Sequence, residues 1–203
     1  VKSWIIRLAT LTAVLGLTGC AFKAGFNPAY LPNQPMALGI PGKGLVVIAS
    51  PDDTWVVSSH PTSLTGSATS LTVPLGAISH QIALRVFGAA FKDGVDFRNE
   101  AGNVEGYRLV IKPKVAKFTY AYNQLKNLGF AITPQIDLEL HVQLIAPDGR
   151  SLLEKTYASG IVDGDTYVIS GQPSEKVNQL LHLTLFKLMT DAAIEAKDLL
   201  KTN

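Results

Sequence analysis

One cysteine, Cys20, is all the chain has in 203 residues. A single thiol cannot make an internal disulfide and excludes a Cys-based metal site. Stability must therefore rest on packing and hydrogen bonds. Charge is scarce, at 17% of residues, and eighteen basic side chains stand against sixteen acidic ones. Without a basic run, nucleic acid is not expected as a partner. The four histidines, His60, His80, His141 and His182, lie far apart and make no His-x-x-x-His or His-Glu pair. They are read as surface or partly packed residues, and no metal or cofactor is expected. No Gly-x-Ser-x-Gly elbow occurs, and the run Gly39-Ile40-Pro41-Gly42-Lys43-Gly44 lacks Walker spacing. Asp137 and Glu139 share one face of an expected strand, about 7 Å apart by strand rise, and are read as a solvated sheet face. No catalytic constellation emerges, and the chain is not expected to be an enzyme.

What is present begins with the first twenty residues. Lys2 and Arg7 are basic, Leu8 to Leu17 form a short apolar run, and the first acidic residue is Asp52. That order is the layout of an export signal, and the run is too short for a stable span, which needs about 20 apolar residues. It ends in Leu17-Thr18-Gly19-Cys20, which resembles the lipobox of bacterial lipoproteins. The resemblance implies a signal peptide at 1–19 and cleavage before Cys20. It also implies diacylglycerol on the Cys20 sulfur and a palmitate-type acyl chain on the new amine. Ala21, where inner-membrane retention uses Asp, resembles the signature of an outer-membrane lipoprotein facing the periplasm. Without Lys2 and Arg7 the mature chain is formally neutral.

Residues 20–42 carry Pro28, Pro32, Pro35 and Pro41 with Gly25, Gly39 and Gly42 between them. They are read as the lipidated cysteine and a semi-extended tether that holds the domain off the membrane. Residues 43–203 are read as one periplasmic domain. Strands are expected at 44–50, where an apolar run suits burial on both faces, at 54–58 and at 71–73. A helix is expected from Leu75 to Lys92, followed by a polar loop over 93–106. The long strand 107–122 changes the phase of its apolar residues near Pro113, which predicts a bulge or bend there. Residues 132–145 alternate apolar and polar throughout, the pattern of a half-buried antiparallel strand. Asp148-Gly149 marks a hairpin turn into a return strand over 151–161. The last element is a helix from about Pro173 to Leu200, with Val177, Leu181, Leu185, Leu188, Ala192, Ala196 and Leu199 along one face. The expected fold class is α+β: a mainly antiparallel sheet with two helices packed on one face, the C-terminal one long.

Phe118, Tyr120 and Tyr122, with Tyr157 nearby in the sheet, admit two readings. They are cross-strand packing beneath the end helix, or an apolar ligand or partner surface. The helix at 75–92, the Leu109-Val110-Ile111 strand, the 132–161 hairpin and the amphipathic end helix, behind a lipobox, resemble small periplasmic lipoproteins. These are the YajG-like family, the ABC-transporter auxiliary lipoproteins and the LPS-assembly lipoprotein. The resemblance implies a non-enzymatic envelope lipoprotein, an accessory binding component of a transport or envelope-assembly system. Its partner would be an envelope protein or a lipid-like ligand. The alternative is a structural lipoprotein that oligomerises or scaffolds a larger envelope complex.

Overall fold

The computed structural model describes residues 21–124, 131–168 and 173–202. The signal segment, Leu17, Thr18, Gly19 and the lipidation residue Cys20 lie outside the described residues. The architecture is α+β, as expected. Nine strands are described: β1 (Ala21–Lys23), β2 (Lys43–Val47), β3 (Val57–Ser59), β4 (Ser70–Val73), β5 (Val95–Arg98), β6 (Tyr107–Asn123), β7 (Ala131–Ile145), β8 (Ser151–Asp163) and β9 (Tyr167–Val168). The helices are a short α1 (Ser50–Asp53), α2 (Leu75–Ala90) and the long α3 (Pro173–Thr202). The main sheet runs β5-β2-β6-β7-β8, with β9 paired to the start of β7. Its long pairings, β6 with β7 and β7 with β8, are antiparallel, and β2 is parallel to both neighbours. A small sheet, β1-β4-β3, sits beside it.

The alternation in β7 sets the layers. Leu138, Leu140, Val142 and Leu144 are fully buried, and Asp137, Glu139 and His141 between them remain partly solvated. The buried side packs with Val46, Leu109 and Ile111 against the apolar faces of α2 and α3 in one core. On the other side a smaller cluster of Leu45, Val47 and Val110 is covered by Ala101, Val104 and Tyr107. β2 is therefore buried on both faces, which is why its sequence is continuously apolar.

Several boundaries differ from expectation. Residues 51–53, between the first two expected strands, belong to α1, and the strand expected at 54–58 is β3 at Val57–Ser59. α2 stops at Ala90 because Phe91 turns extended and bridges Ile40. The loop expected over 93–106 contains β5, whose Val95 and Phe97 alternate with Asp96 and Arg98. The phase change in β6 is a bulge between Val115 and Lys117, not at Pro113, which stays in register opposite Val142. The extra residue is the exposed Ala116. β8 carries a matching irregularity opposite Leu138, where Gly160 takes φ +61° and Ser159 Oγ accepts the Leu138 N–H at 3.0 Å.

The largest correction concerns residues 21–42. They are not a spacer standing off the domain. β1 pairs in parallel with β4 from Ala21 onward, and Leu31 and Ile40 are buried in the core. The prolines do prevent long regular structure, leaving one 3-10 turn at Pro28–Tyr30 capped by the Asn27 side chain. The backbone groups they leave free are taken up from elsewhere: Asn178 Nδ2 donates to the Gly25 carbonyl at 2.8 Å, and Arg85 donates to the Pro32 carbonyl at 2.8 Å. Such long-range partners satisfy the backbone of an irregular segment as a ladder would.

Candidate functional site

The terminal helix covers the sheet only part of the way to its edge. β8 is the outermost long strand, and between it and α3 a cavity of about 690 Å³ opens to solvent. Its walls are apolar: Tyr157 and Val162 from β8, and Leu180, Leu183 and Leu188 from α3. Leu188 and Leu180 are turned inward, whereas Leu183 keeps 41% of its surface exposed. A smaller depression of about 140 Å³ shares Leu180 and Leu183 and extends the groove towards Gly164.

A three-residue clasp closes the other end. The Tyr157 hydroxyl donates to Glu195 Oε2 at 2.7 Å, and Lys155 Nζ donates to the same oxygen at 2.6 Å. The Lys155 ammonium also lies 4.8 Å from the centre of the Tyr157 ring. The Lys155 ammonium and then the Tyr157 hydroxyl hold the Glu195 carboxyl below its ordinary range. Burial, and next the neighbouring carboxylate, push the Tyr157 phenol up. On the rim Lys187 pairs with Asp191 at 2.7 Å, one helical turn on. The groove thus offers apolar contact bordered by paired charges, the chemistry of a binding surface.

The other aromatics of interest are not surface. Phe118, Tyr120 and Tyr122 are each less than 10% exposed. Phe118 stacks with Tyr120 at 6.2 Å, and Tyr120 meets Tyr122 edge-on at 5.7 Å. They are core packing along one face of β6, opposite Leu138, Ile136 and Pro134 of β7, and the cover over Tyr120 and Tyr122 is β3 and the 60–69 loop. The Tyr120 hydroxyl donates to the Ser59 carbonyl at 3.0 Å, and Gly66 sits directly on the Tyr122 ring. Burial pushes the Tyr120 phenol up to about 12, and Tyr122 higher still. Of the four aromatics only Tyr157 borders the groove. Leu180 and Leu183, which build its opposite wall, were missed by the sequence reading. Their signal was leucines on α3 lying off the 177–181–185–188 stripe.

The histidines are not brought together. His80 Nδ1 lies 2.9 Å from Asp53 and its ring stacks on Phe97 at 3.7 Å. His60 contacts the Thr69 carbonyl, and His141 the Thr156 hydroxyl. His182, expected as a surface or partly packed residue, is completely buried. Asp137 and Glu139 share Lys117, at 2.7 and 3.5 Å, on the open face of the sheet. Among the described residues no group of His, Cys, Asp and Glu could hold a metal ion, and no helix is long and apolar enough to cross a membrane.

No protein-family model matches the chain, and no curated protein matches it by sequence. Solved structures do match its shape. The fold is shared with a Xanthomonas campestris protein described by the DUF330 family model, at 14% identity and TM-score 0.55, over 90% of this chain and 97% of that one. A Helicobacter pylori protein described as a neuraminyllactose-binding hemagglutinin homolog aligns at 11% identity and TM-score 0.40, over 89% and 97%. A Nitrosomonas europaea protein described as lipoprotein B aligns at 15% identity and TM-score 0.36, over 85% and 87%. The first likeness shows the fold alone; at TM-scores below 0.5 the other two carry no argument.

Proposed function

We propose that this chain is a non-enzymatic envelope lipoprotein that binds a partner in the α3–β8 groove, as the accessory component of a transport or envelope-assembly system. Export and acylation at Cys20 rest on the ordered signal of charge, apolar run and Leu17-Thr18-Gly19-Cys20. Ala21 supports delivery to the outer membrane, facing the periplasm. The observation that carries the binding role is the apolar groove of about 690 Å³, left open along a helix that is otherwise well packed.

The test places a charge where it cannot unfold the domain. Leu183→Glu lies on a partly exposed helix position, so the protein should accumulate and be acylated normally. In cells lacking the chromosomal copy, Leu183→Glu and Cys20→Ser should each fail to restore the envelope barrier that the wild type restores. Full restoration by Leu183→Glu would overturn the groove, and an unmodified Cys20 in the mature protein would overturn the anchor.

A second reading has its own observation. β8 is thirteen residues long and pairs only with β7 among the described residues. An open edge of that length can add a strand from another chain. A structural lipoprotein that oligomerises there would show, by light scattering, a fixed multiple of the monomer mass that survives dilution.

A further inference from the structure

Among the described residues the three most exposed large apolar side chains are Leu64, Ile161 and Val168, at 93%, 74% and 67%. They lie at one pole of the molecule. Val168 pairs opposite Ala131 at the start of β7, and Ile161 lines a shallow cavity with Thr62. Leu64 tips the 60–69 loop, which leads directly into β4 at Ser70. Ser70 is also the partner of Ala21 in β1, so the chain enters the domain beside that loop.

The loop holds Leu64 out on a pinned frame. The Thr62 N–H donates to the Tyr120 carbonyl at 2.8 Å, and the Ser63 hydroxyl accepts the Tyr122 N–H at 2.8 Å. After Leu64, the Ser67 N–H donates back to the Leu64 carbonyl at 3.2 Å and the Thr69 N–H to the Gly66 carbonyl at 2.7 Å. A leucine so displayed cannot fold back to hide. The sequence around it has no Asp, Glu, Lys or Arg between Asp53 and Arg85. An uncharged loop with an apolar tip can enter the boundary of a bilayer without stripping water from an ion.

We propose that this pole, led by Leu64, rests on a zwitterionic phospholipid surface and seats the domain against the membrane. The occupant follows from where the chain outside the described residues ends: at Cys20, one residue before Ala21, which pairs with Ser70 beside the Leu64 loop. This inference rests on acylation at Cys20. Asp163 and Asp165, between Ile161 and Val168, are exposed and give an anionic lipid surface no advantage. Contact is therefore hydrophobic and insensitive to salt.

The test uses the acylated full-length protein in phosphatidylethanolamine–phosphatidylcholine vesicles. Cys20 is the single native cysteine, so acylation leaves Leu64→Cys as the one thiol open to an environment-sensitive fluorophore. Asp148→Cys, in the β7–β8 turn at the opposite end of a strand roughly 45 Å long, is the reference position. The probe at 64 should shift to the blue on reconstitution and be quenched by nitroxides on the acyl chains, in low and high salt alike. The probe at 148 should do neither. Protein that floats with the vesicles while both probes report water overturns the seating and leaves the anchor standing. Protein that does not float, with label on Cys20 in the wild type, overturns both. A blue shift at 64 that grows with protein concentration without vesicles assigns the pole to a second copy and overturns the proposal.

Discussion

The backbone N–H of Asn27 donates to Nε2 of His182 at 3.1 Å, joining positions 155 residues apart. That bond fixes the tautomer: Nδ1 carries the proton and donates to the Asn178 carbonyl at 2.8 Å. The ring lies among Phe26 and Tyr30, and the carboxylate on that side, Glu175, is engaged by the Tyr30 hydroxyl. The imidazole is therefore the clip that holds the entering chain to the terminal helix, and it can do so only while neutral.

A pH dependence follows. Burial lowers the His182 pKa from 6.5, against the smaller opposing pull of the Asn178 carbonyl. With the folded value depressed, the unfolded chain binds more protons below 6.5. The stability is fully present above the unfolded value and is lost as pH falls from there through the folded one. Urea midpoints should drop between about pH 7 and pH 5, the range in which an unperturbed histidine charges. His182→Gln, which offers a neutral donor and acceptor, should flatten that slope. An unchanged slope in the variant would exclude His182 as its source.

The α3 leucines should divide by burial. Leu181 and Leu188 are at 0% and 4% exposure, so Leu181→Ala and Leu188→Ala should each cost about 2–5 kcal/mol. Leu183, two residues from Leu181 but turned to the groove, should change stability by no more than about 0.5 kcal/mol on Leu183→Ala. Chemical denaturation of the three variants measures this. Equal effects at 181 and 183 would mean that α3 is rotated from the orientation described.

Gly76 permits the crossing of α1 and α2. A Cβ there would land on the carbonyl oxygens of Asp52 and Asp53, which are backbone and cannot swing aside. Gly76→Ala should therefore destabilise by about 1–3 kcal/mol or more, although alanine is the better helix former. Gly88→Ala, in the same helix with only ordinary contact to Val95, is the control and should be neutral or mildly stabilising. Thermal melts of the pair separate steric cost from helix propensity.

How far the sequence foretold these features depends on the range of the contact. β7 was legible because alternation is local: Thr133 to Ile145 need only their neighbours to declare a face. The β6 bulge is visible in the sequence as a phase change but its position is not, because a proline stands at 113, in register opposite Val142, and nothing in the side chain of Ala116 marks a bulge. β5 was lost because four residues in a polar stretch give too short a period, although Val95-Asp96-Phe97-Arg98 alternates cleanly. The docking of residues 21–42 was not legible at all. It depends on Asn178, His182 and Ser70, far along the chain, and prolines that prevent a helix say nothing about what the extended chain touches. The groove was half legible: Tyr157 was singled out, whereas Leu183 looked like surplus breadth on an amphipathic helix.

The clasp at Glu195 yields the last prediction. Tyr157 is 9% exposed, and its hydroxyl depends on Glu195 for an acceptor. Glu195→Ala would leave a buried donor without a partner, costing about 1–3 kcal/mol. Tyr157→Phe removes the donor itself, so it should cost less than Glu195→Ala. Glu195→Gln keeps an acceptor for Tyr157 and loses only the charge that faces Lys155, so its effect near neutral pH should be the smallest. Its signature lies in acid. The folded carboxyl is depressed below 4.5, so its contribution is present above that value and is lost as pH falls through the folded one. Glu195→Gln should flatten the stability profile below about pH 4.5 and leave the His182 window unchanged. Urea titrations of the three variants across pH would test the order. Tyr157→Phe costing as much as Glu195→Ala would show that the hydroxyl, not the orphaned donor, sets the energy, and would remove Glu195 as the residue that closes the groove.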